Sequence, residues 1–204
     1  CPSSSSSGWS LAYTFKTLWL GPIYVDHAAT GLNDGSSWAN AFTTLDEALL
    51  NMTPMGQIRV AQGIYKPSTS GLADPRKATF LIPNNAKIYG GFNGTEATLA
   101  ERNPKTNITT LNGDLGGNDS SSIFHTTGSR SDNTYHVITL KGGSAGIIID
   151  GFTISGGNAN GGYNYSQGYD NTRGGAISAI TDNAANYSIY AAFKNCILEK
   201  HYNS

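Results

Sequence analysis

Three side chains with hard oxygen donors stand close together in Asn112-Gly-Asp-Leu-Gly-Gly-Asn-Asp. Asp114, Asn118 and Asp119 offer two carboxylates and an amide oxygen to Ca²⁺, with carbonyls and water to fill the remaining positions. The stretch lacks the spacing of an EF-hand loop and its bidentate Glu, so an ordinary Gly/Asn turn competes with the metal reading. No cofactor other than Ca²⁺ is suggested. A second group lies in the Gly/Asn-rich loop 156–174, where Tyr163, Tyr165 and Tyr169 stand among amides. Aromatic faces beside amides suit a sugar, because the ring stacks while the amides take the hydroxyls. The competing reading packs these tyrosines down on neighbouring structure.

Acid–base catalysis on polysaccharides asks for more. A lyase needs an acidic Ca²⁺ cluster beside a base, and a glycosidase needs two carboxylates flanking the scissile bond. Candidate acids are Asp114, Asp119, Asp132, Asp150 and Asp170; candidate bases are Lys141, Arg173 and the histidines. Asp150 precedes Gly-Phe-Thr-Ile, a place where a carboxylate serves a turn. His125 and His136 have no His-x-x-x-His or acid-spaced partner, so neither metal nor a triad is indicated. No adjacent Asp pair, Gly-His-Gly run or clustered Arg/Lys resembling the signatures of those enzymes occurs. No catalytic residue is assigned, and the outward Thr, Ser, Asn and Tyr favour binding over turnover.

The elements that must position these groups are short. Charged residues make up 13% of the 204 and formal net charge is −1, which gives no electrostatic basis for a nucleic-acid or anionic-membrane partner. Gly, Asn, Ser and Thr abound, as in proteins where short strands alternate with tight turns. With Cys1 and Cys196 alone, a disulfide scaffold and a Cys-rich zinc site are excluded. Cys196 reads as a small buried strand residue. No stretch reaches the roughly 18–20 apolar residues of a membrane span, the best candidate being broken by Lys16 and Pro22. Cys1-Pro-Ser-Ser-Ser-Ser-Ser has the form in which a processed bacterial lipoprotein begins, Cys1 bearing the lipid and the Ser run acting as tether. An arbitrary start is the alternative.

Residues 1–22 read as a tail and lead-in, and 23–204 as one domain. Phe42, Leu45, Leu49 and Met52 recur at helical spacing, predicting a helix near 41–52 with Thr43 or Thr44 as N-cap and Pro54 as its stop. From Gln57 onward only three- to six-residue strands are predicted. Gly151-Phe-Thr-Ile-Ser-Gly-Gly and Asn195-Cys-Ile-Leu-Glu-Lys-His superpose at an offset of 44, which fits two coils of about 22 residues. Such repeats predict a solenoid with parallel rungs; a two-sheet sandwich would show more hairpin turns.

One ordered set of segments adds to this reading. It runs Tyr24-Val-Asp, Asn33-Asp-Gly-Ser-Ser-Trp-Ala-Asn-Ala-Phe, Ile58-Arg-Val-Ala-Gln-Gly-Ile-Tyr-Lys-Pro and Tyr89-Gly-Gly-Phe-Asn-Gly-Thr-Glu. It continues through Glu101-Arg-Asn, Leu111-Asn-Gly-Asp, Tyr135-His-Val and Asp150-Gly-Phe-Thr-Ile-Ser-Gly-Gly-Asn-Ala. The set resembles bacterial surface proteins with right-handed parallel β-helix repeats, often adhesin-like, whose fold relatives include pectate-lyase-like enzymes. The resemblance implies an all-β, right-handed parallel β-helix with an N-terminal helical cap in which Trp38 and Phe42 pack on the first rung. It implies a protein secreted or held on the outer cell surface. There it would act as an adhesin, a binder of polysaccharide or cell-surface glycan, or a structural part of a surface assembly or filament. A Ca²⁺-dependent polysaccharide lyase or glycoside hydrolase on the same fold is the alternative. Tyr202-Asn-Ser follows a strand directly, so the rungs are expected to continue past Ser204 or to be covered by another chain, with self-association through the open end.

Overall fold

Alternating apolar runs too short for helices, each closed by Gly, Asn or Asp, leave the backbone to pair with distant parts of the chain. The structure, a computed structural model, describes residues 21–53, 56–119, 128–141, 145–164, 169–180 and 188–203. It opens with β1 (Ile23–Val25) and α1 (Leu45–Leu50). Next come β2 (Gln57–Ala61), β3 (Gly63–Tyr65) and β4 (Phe80–Ile82), then β5 (Lys87–Phe92), β6 (Thr109–Asn112) and β7 (Ile138–Lys141). A third series is β8 (Ile147–Asp150), β9 (Thr153–Ser155), β10 (Asn158–Ala159), β11 (Tyr163–Asn164), β12 (Tyr169–Asp170) and β13 (Ile177–Ile180). The last is β14 (Ala191–Lys194), β15 (Ile197–Glu199) and β16 (Tyr202–Asn203).

Three parallel sheets collect these strands, in the orders β1-β2-β5-β8-β14, β15-β9-β6-β3 and β13-β7-β4. The chain enters the sheets in the same order on every pass: β2, β3, β4, then β5, β6, β7, then β8, β9, β13. All pairings within them are parallel, so neighbours are joined by long crossovers and not by the hairpins of a sandwich. Among the described strands only β11 and β12 pair antiparallel.

Register places like on like. Ile23, Ile58, Ile88, Ile149 and Phe193 form one row across five strands. Tyr65, Leu111, Ile154 and Leu198 form a second, and Phe80, Ile138 and Ile177 a third. Their inner members are buried and meet in one cluster, whereas Leu198 on the last pass is 51% exposed. A slip of one residue would turn every row outward, and burial of these side chains is what holds the register.

The offset of 44 has a different meaning from the one expected. Ile147 pairs with Ala191, Thr153 with Ile197 and Asn158 with Tyr202, each 44 residues on. The repeat is therefore one pass and not two coils of about 22. The Ile177–Ile180 run does not open an intermediate coil, because it pairs with β7 on the third side of the same pass.

At the N-terminal end the helix is real but short. Thr44 Oγ accepts from the Glu47 amide at 3.3 Å while its hydroxyl donates to Glu47 Oε2 at 2.8 Å, and Leu45, Ala48 and Leu49 face the core. Phe42 lies outside it. Its amide donates to Tyr24 O and its carbonyl accepts from Asp26 N, while Gly35 O takes the Tyr24 amide, so residues 35–42 cover the outer edge of β1. Trp38 differs from expectation. Its ring packs at 4.8 Å from Tyr24 and 5.3 Å from Phe92, on the outward side of the first sheet and not over its end. No helix among the described residues is long and apolar enough to cross a membrane.

Candidate functional site

The loop 112–119 folds around one carboxylate. Asp114 Oδ1 accepts from the amides of Gly117 (2.6 Å) and Asn118 (3.2 Å), and Oδ2 from Asp119 (3.0 Å). Asp114 is therefore spent on closing its own loop, and Asn118 enters through its backbone. Of the expected triad, Asp114 is engaged by three backbone amides, two of them from Asn118 and Asp119, and Asp119 Oδ1 is a buried oxygen without a partner. Among the described residues no group of three or more His, Cys, Asp and Glu is arranged to hold a metal.

Asp150 ends β8 and serves other passes, not its own turn. Its Oδ2 lies 2.7 Å from Arg102 Nη2, with both side chains nearly buried, and its Oδ1 accepts from Asn195 Nδ2 at 2.8 Å. Arg102 also donates to the carbonyls of Gly90 and Asp150. Such a fully bonded carboxylate is poorly placed to move a substrate proton. Asp132 Oδ2 accepts from Gly116 N at 2.7 Å. His136 is buried, Nδ1–H donating to Gly174 O at 3.1 Å, and Arg173 is exposed in its loop. Tyr163 and Tyr169 stand on the two strands of one ribbon, Tyr163 opposite Asp170 and Asn164 opposite Tyr169. Tyr165, His125 and Cys1 lie outside the described residues. Cys196 is a free, half-buried thiol in the corner between β14 and β15, where burial raises its pKa and a thiolate is disfavoured.

Two concave surfaces emerge that the sequence reading did not anticipate. A groove of about 1020 Å³ runs between α1 and β4, lined by the exposed Leu50 and Leu81 and by Asp46 and Lys77. Burial lifts the Asp46 carboxyl above its usual range, while both Glu47 oxygens are engaged by Thr44 and Asn33. A second, shallower recess of about 610 Å³ is lined by Trp38, Asp26, Thr30, Ser37 and Thr95. Trp38 is fixed there from behind by Tyr24 and Phe92 and by its own Nε1–H, which donates to Glu96 O at 2.9 Å. Asp26 is held by the Ala28 amide on Oδ1. The recess thus joins a rigid aromatic platform to hydroxyls and a carboxylate. The signal was present in the text Ser36-Ser-Trp-Ala-Asn, an aromatic among hydroxyls and amides, which is the same logic that singled out the tyrosine loop.

His201 ties the last pass to the one before. Its Nδ1 accepts from Gly157 N at 3.3 Å while Nε2 faces Ile154 O at 2.8 Å, which fixes the neutral tautomer with the proton on Nε2. Burial holds its pKa below the usual 6.5. A base depressed in the folded state contributes stability that is complete above the unfolded value and is lost as pH falls below it. The β10–β16 pairing is expected to loosen on going from pH 7.5 to pH 5.5. Faster exchange of the Gly157 amide would report it, after correction for intrinsic rates, and His201→Gln should remove the pH dependence. An unchanged protection factor in the native protein would refute it.

No protein-family model, no curated protein and no solved structure matches this chain. The functional reading therefore rests on the residues themselves.

Proposed function

We propose that this chain is an exported surface module that binds polysaccharide, its passes stacking as the rungs of a right-handed parallel β-helix. The fixed order in which the chain enters three parallel sheets supports that architecture, and the right-handed rule for parallel crossovers gives its hand. The observation that carries the binding reading is the recess at Trp38. A pyranose ring stacks on an immobilised indole, while Asp26, Thr30, Ser37 and Thr95 supply hydrogen bonds to hydroxyls. Tyr163 and Tyr169, on the paired strands β11 and β12, are proposed as a separate sugar contact of the same chemistry. At the other end, the exposed Ile197 and Leu198 offer an edge to a further strand or a second copy.

The test is retention on a panel of neutral and acidic polysaccharides, with chain ends assayed in parallel. Trp38→Ala is expected to lower retention about tenfold or more, as loss of a central aromatic anchor does. Trp38→Phe should keep part of it. Both must retain the native circular dichroism for the comparison to count. New chain ends would turn the reading toward a lyase or hydrolase, and undiminished binding by Trp38→Ala would remove this recess from the interface.

A further inference from the structure

Two stretches of chain between β6 and β7 face each other across a seam. Gly113 O accepts from Thr134 N at 2.8 Å, Asp132 Oδ2 from Gly116 N at 2.7 Å, and Asp119 Oδ2 from Asn133 Nδ2 at 2.7 Å. Along this seam sit Asp119 Oδ1, Asp132 Oδ1, Asn133 Oδ1 and Thr134 Oγ, four buried oxygens with no hydrogen-bond partner. Only one other buried side-chain nitrogen or oxygen among the described residues, Arg59 Nε, shares that condition. Asn133 and Thr134 are completely buried. The Asn133 amide cannot be reversed to relieve this, since its NH₂ is required by the Asp119 carboxylate. A buried oxygen left without a donor costs about 1–3 kcal/mol, so four on residues 119 and 132–134, joined by these seam hydrogen bonds, ask for a partner.

We propose that these oxygens hold a hard divalent cation of the Ca²⁺ class. All four are oxygen ligands, two from carboxylates and two neutral, the mixture that Ca²⁺ accepts in its irregular shell of six to eight. Mg²⁺ demands a stricter octahedron and keeps its water. Asp114 acts at one remove, since its carboxylate gathers the Gly117, Asn118 and Asp119 amides and so presents the Asp119 side chain to the seam. Two charged ligands place the affinity in the range of extracellular modules, about 10⁻⁴–10⁻³ M.

The experiment is a thermal melt in EDTA, in 10 mM Mg²⁺ and in 10 mM Ca²⁺, repeated with Asp132→Asn and Asp119→Asn. Ca²⁺ is expected to raise the wild-type Tm by about 3–8 °C and Mg²⁺ by less, with the Ca²⁺ response lost in both variants. Terbium luminescence on the wild-type protein, excited through tyrosine and displaced by Ca²⁺, covers the case in which a variant fails to fold. Tyr135 lies two residues from Asn133 as the donor. Absence of both a Ca²⁺ shift and terbium emission would overturn the proposal, leaving water as the partner of these oxygens. A Ca²⁺ shift retained in both variants would overturn it equally, by placing the cation elsewhere.

Discussion

Arg102→Ala is expected to lower the unfolding free energy by about 3–5 kcal/mol. The side chains of Arg102 and Asp150 are only 12% and 10% exposed, and their 2.7 Å contact joins the loop after β5 to the end of β8. Removing the guanidinium leaves the Asp150 carboxylate half-satisfied by Asn195 and also strips donors from the carbonyls of Gly90 and Asp150. The penalty comes from stranding a charge, not from losing a favourable pair, because the pair itself must offset the desolvation of both ions. Asp150→Asn should therefore be milder, since its amide oxygen can still accept from Arg102 or Asn195. For a chain of this size the Arg102→Ala loss corresponds to a Tm lower by about 6–20 °C. Chemical denaturation of the two single variants and the double variant would measure the coupling. A loss below 1 kcal/mol for Arg102→Ala would mean that the staple is not closed in solution.

That staple shows where sequence reading stops. Strand positions were legible because alternation and glycine breaks are local: the Ile23, Gln57, Gly63 and Gly175 runs each became strands close to their expected places. The N-cap at Thr44 was legible for the same reason, through its reciprocal bonds with Glu47 three residues on. Phe42 was misassigned to the helix because its spacing from Leu45 is helical, while its backbone is claimed by Tyr24 and Asp26 of β1. The 44-residue offset was correct as register, but its division into two coils was not. Connections of unequal length separate the strands, and passes of the first sheet begin at Gln57, Lys87, Ile147 and Ala191. A reader of local text assumes a constant period, whereas surface loops lengthen at little thermodynamic cost. Asp150 looked like a turn residue because its partners, Arg102 and Asn195, stand 48 and 45 positions away. Asp132 stood among the candidate acids without being joined to Asp119, and Asn133 went unnoticed, for the same reason: the seam exists only once the two stretches are brought together. Chemistry assembled across passes is invisible to spacing arguments, which is why Trp38 read as packing alone.

Stacked passes also make stability depend on position, and this yields the second large expected effect. Ile149 is fully buried in the row Ile23, Ile58, Ile88, Ile149, Phe193, with a neighbour on either side. Ile149→Ala should cost about 2–5 kcal/mol, because the rows on both sides are held by their own strand pairings and cannot collapse into the cavity. Phe193, one strand further, is only partly buried and pairs on one side alone among the described strands. Phe193→Ala removes more atoms yet should lower global stability less. Its effect is to let β14 and β15 open locally, as the end of a stack bound by nearest neighbours does. Native-state hydrogen exchange separates the two outcomes. In Ile149→Ala, protection should fall across β2, β5 and β8 together, whereas in Phe193→Ala the loss should be confined to β14 and β15. If Phe193→Ala instead lowers protection throughout β2 and β5, the passes unfold as one unit and the nearest-neighbour description fails.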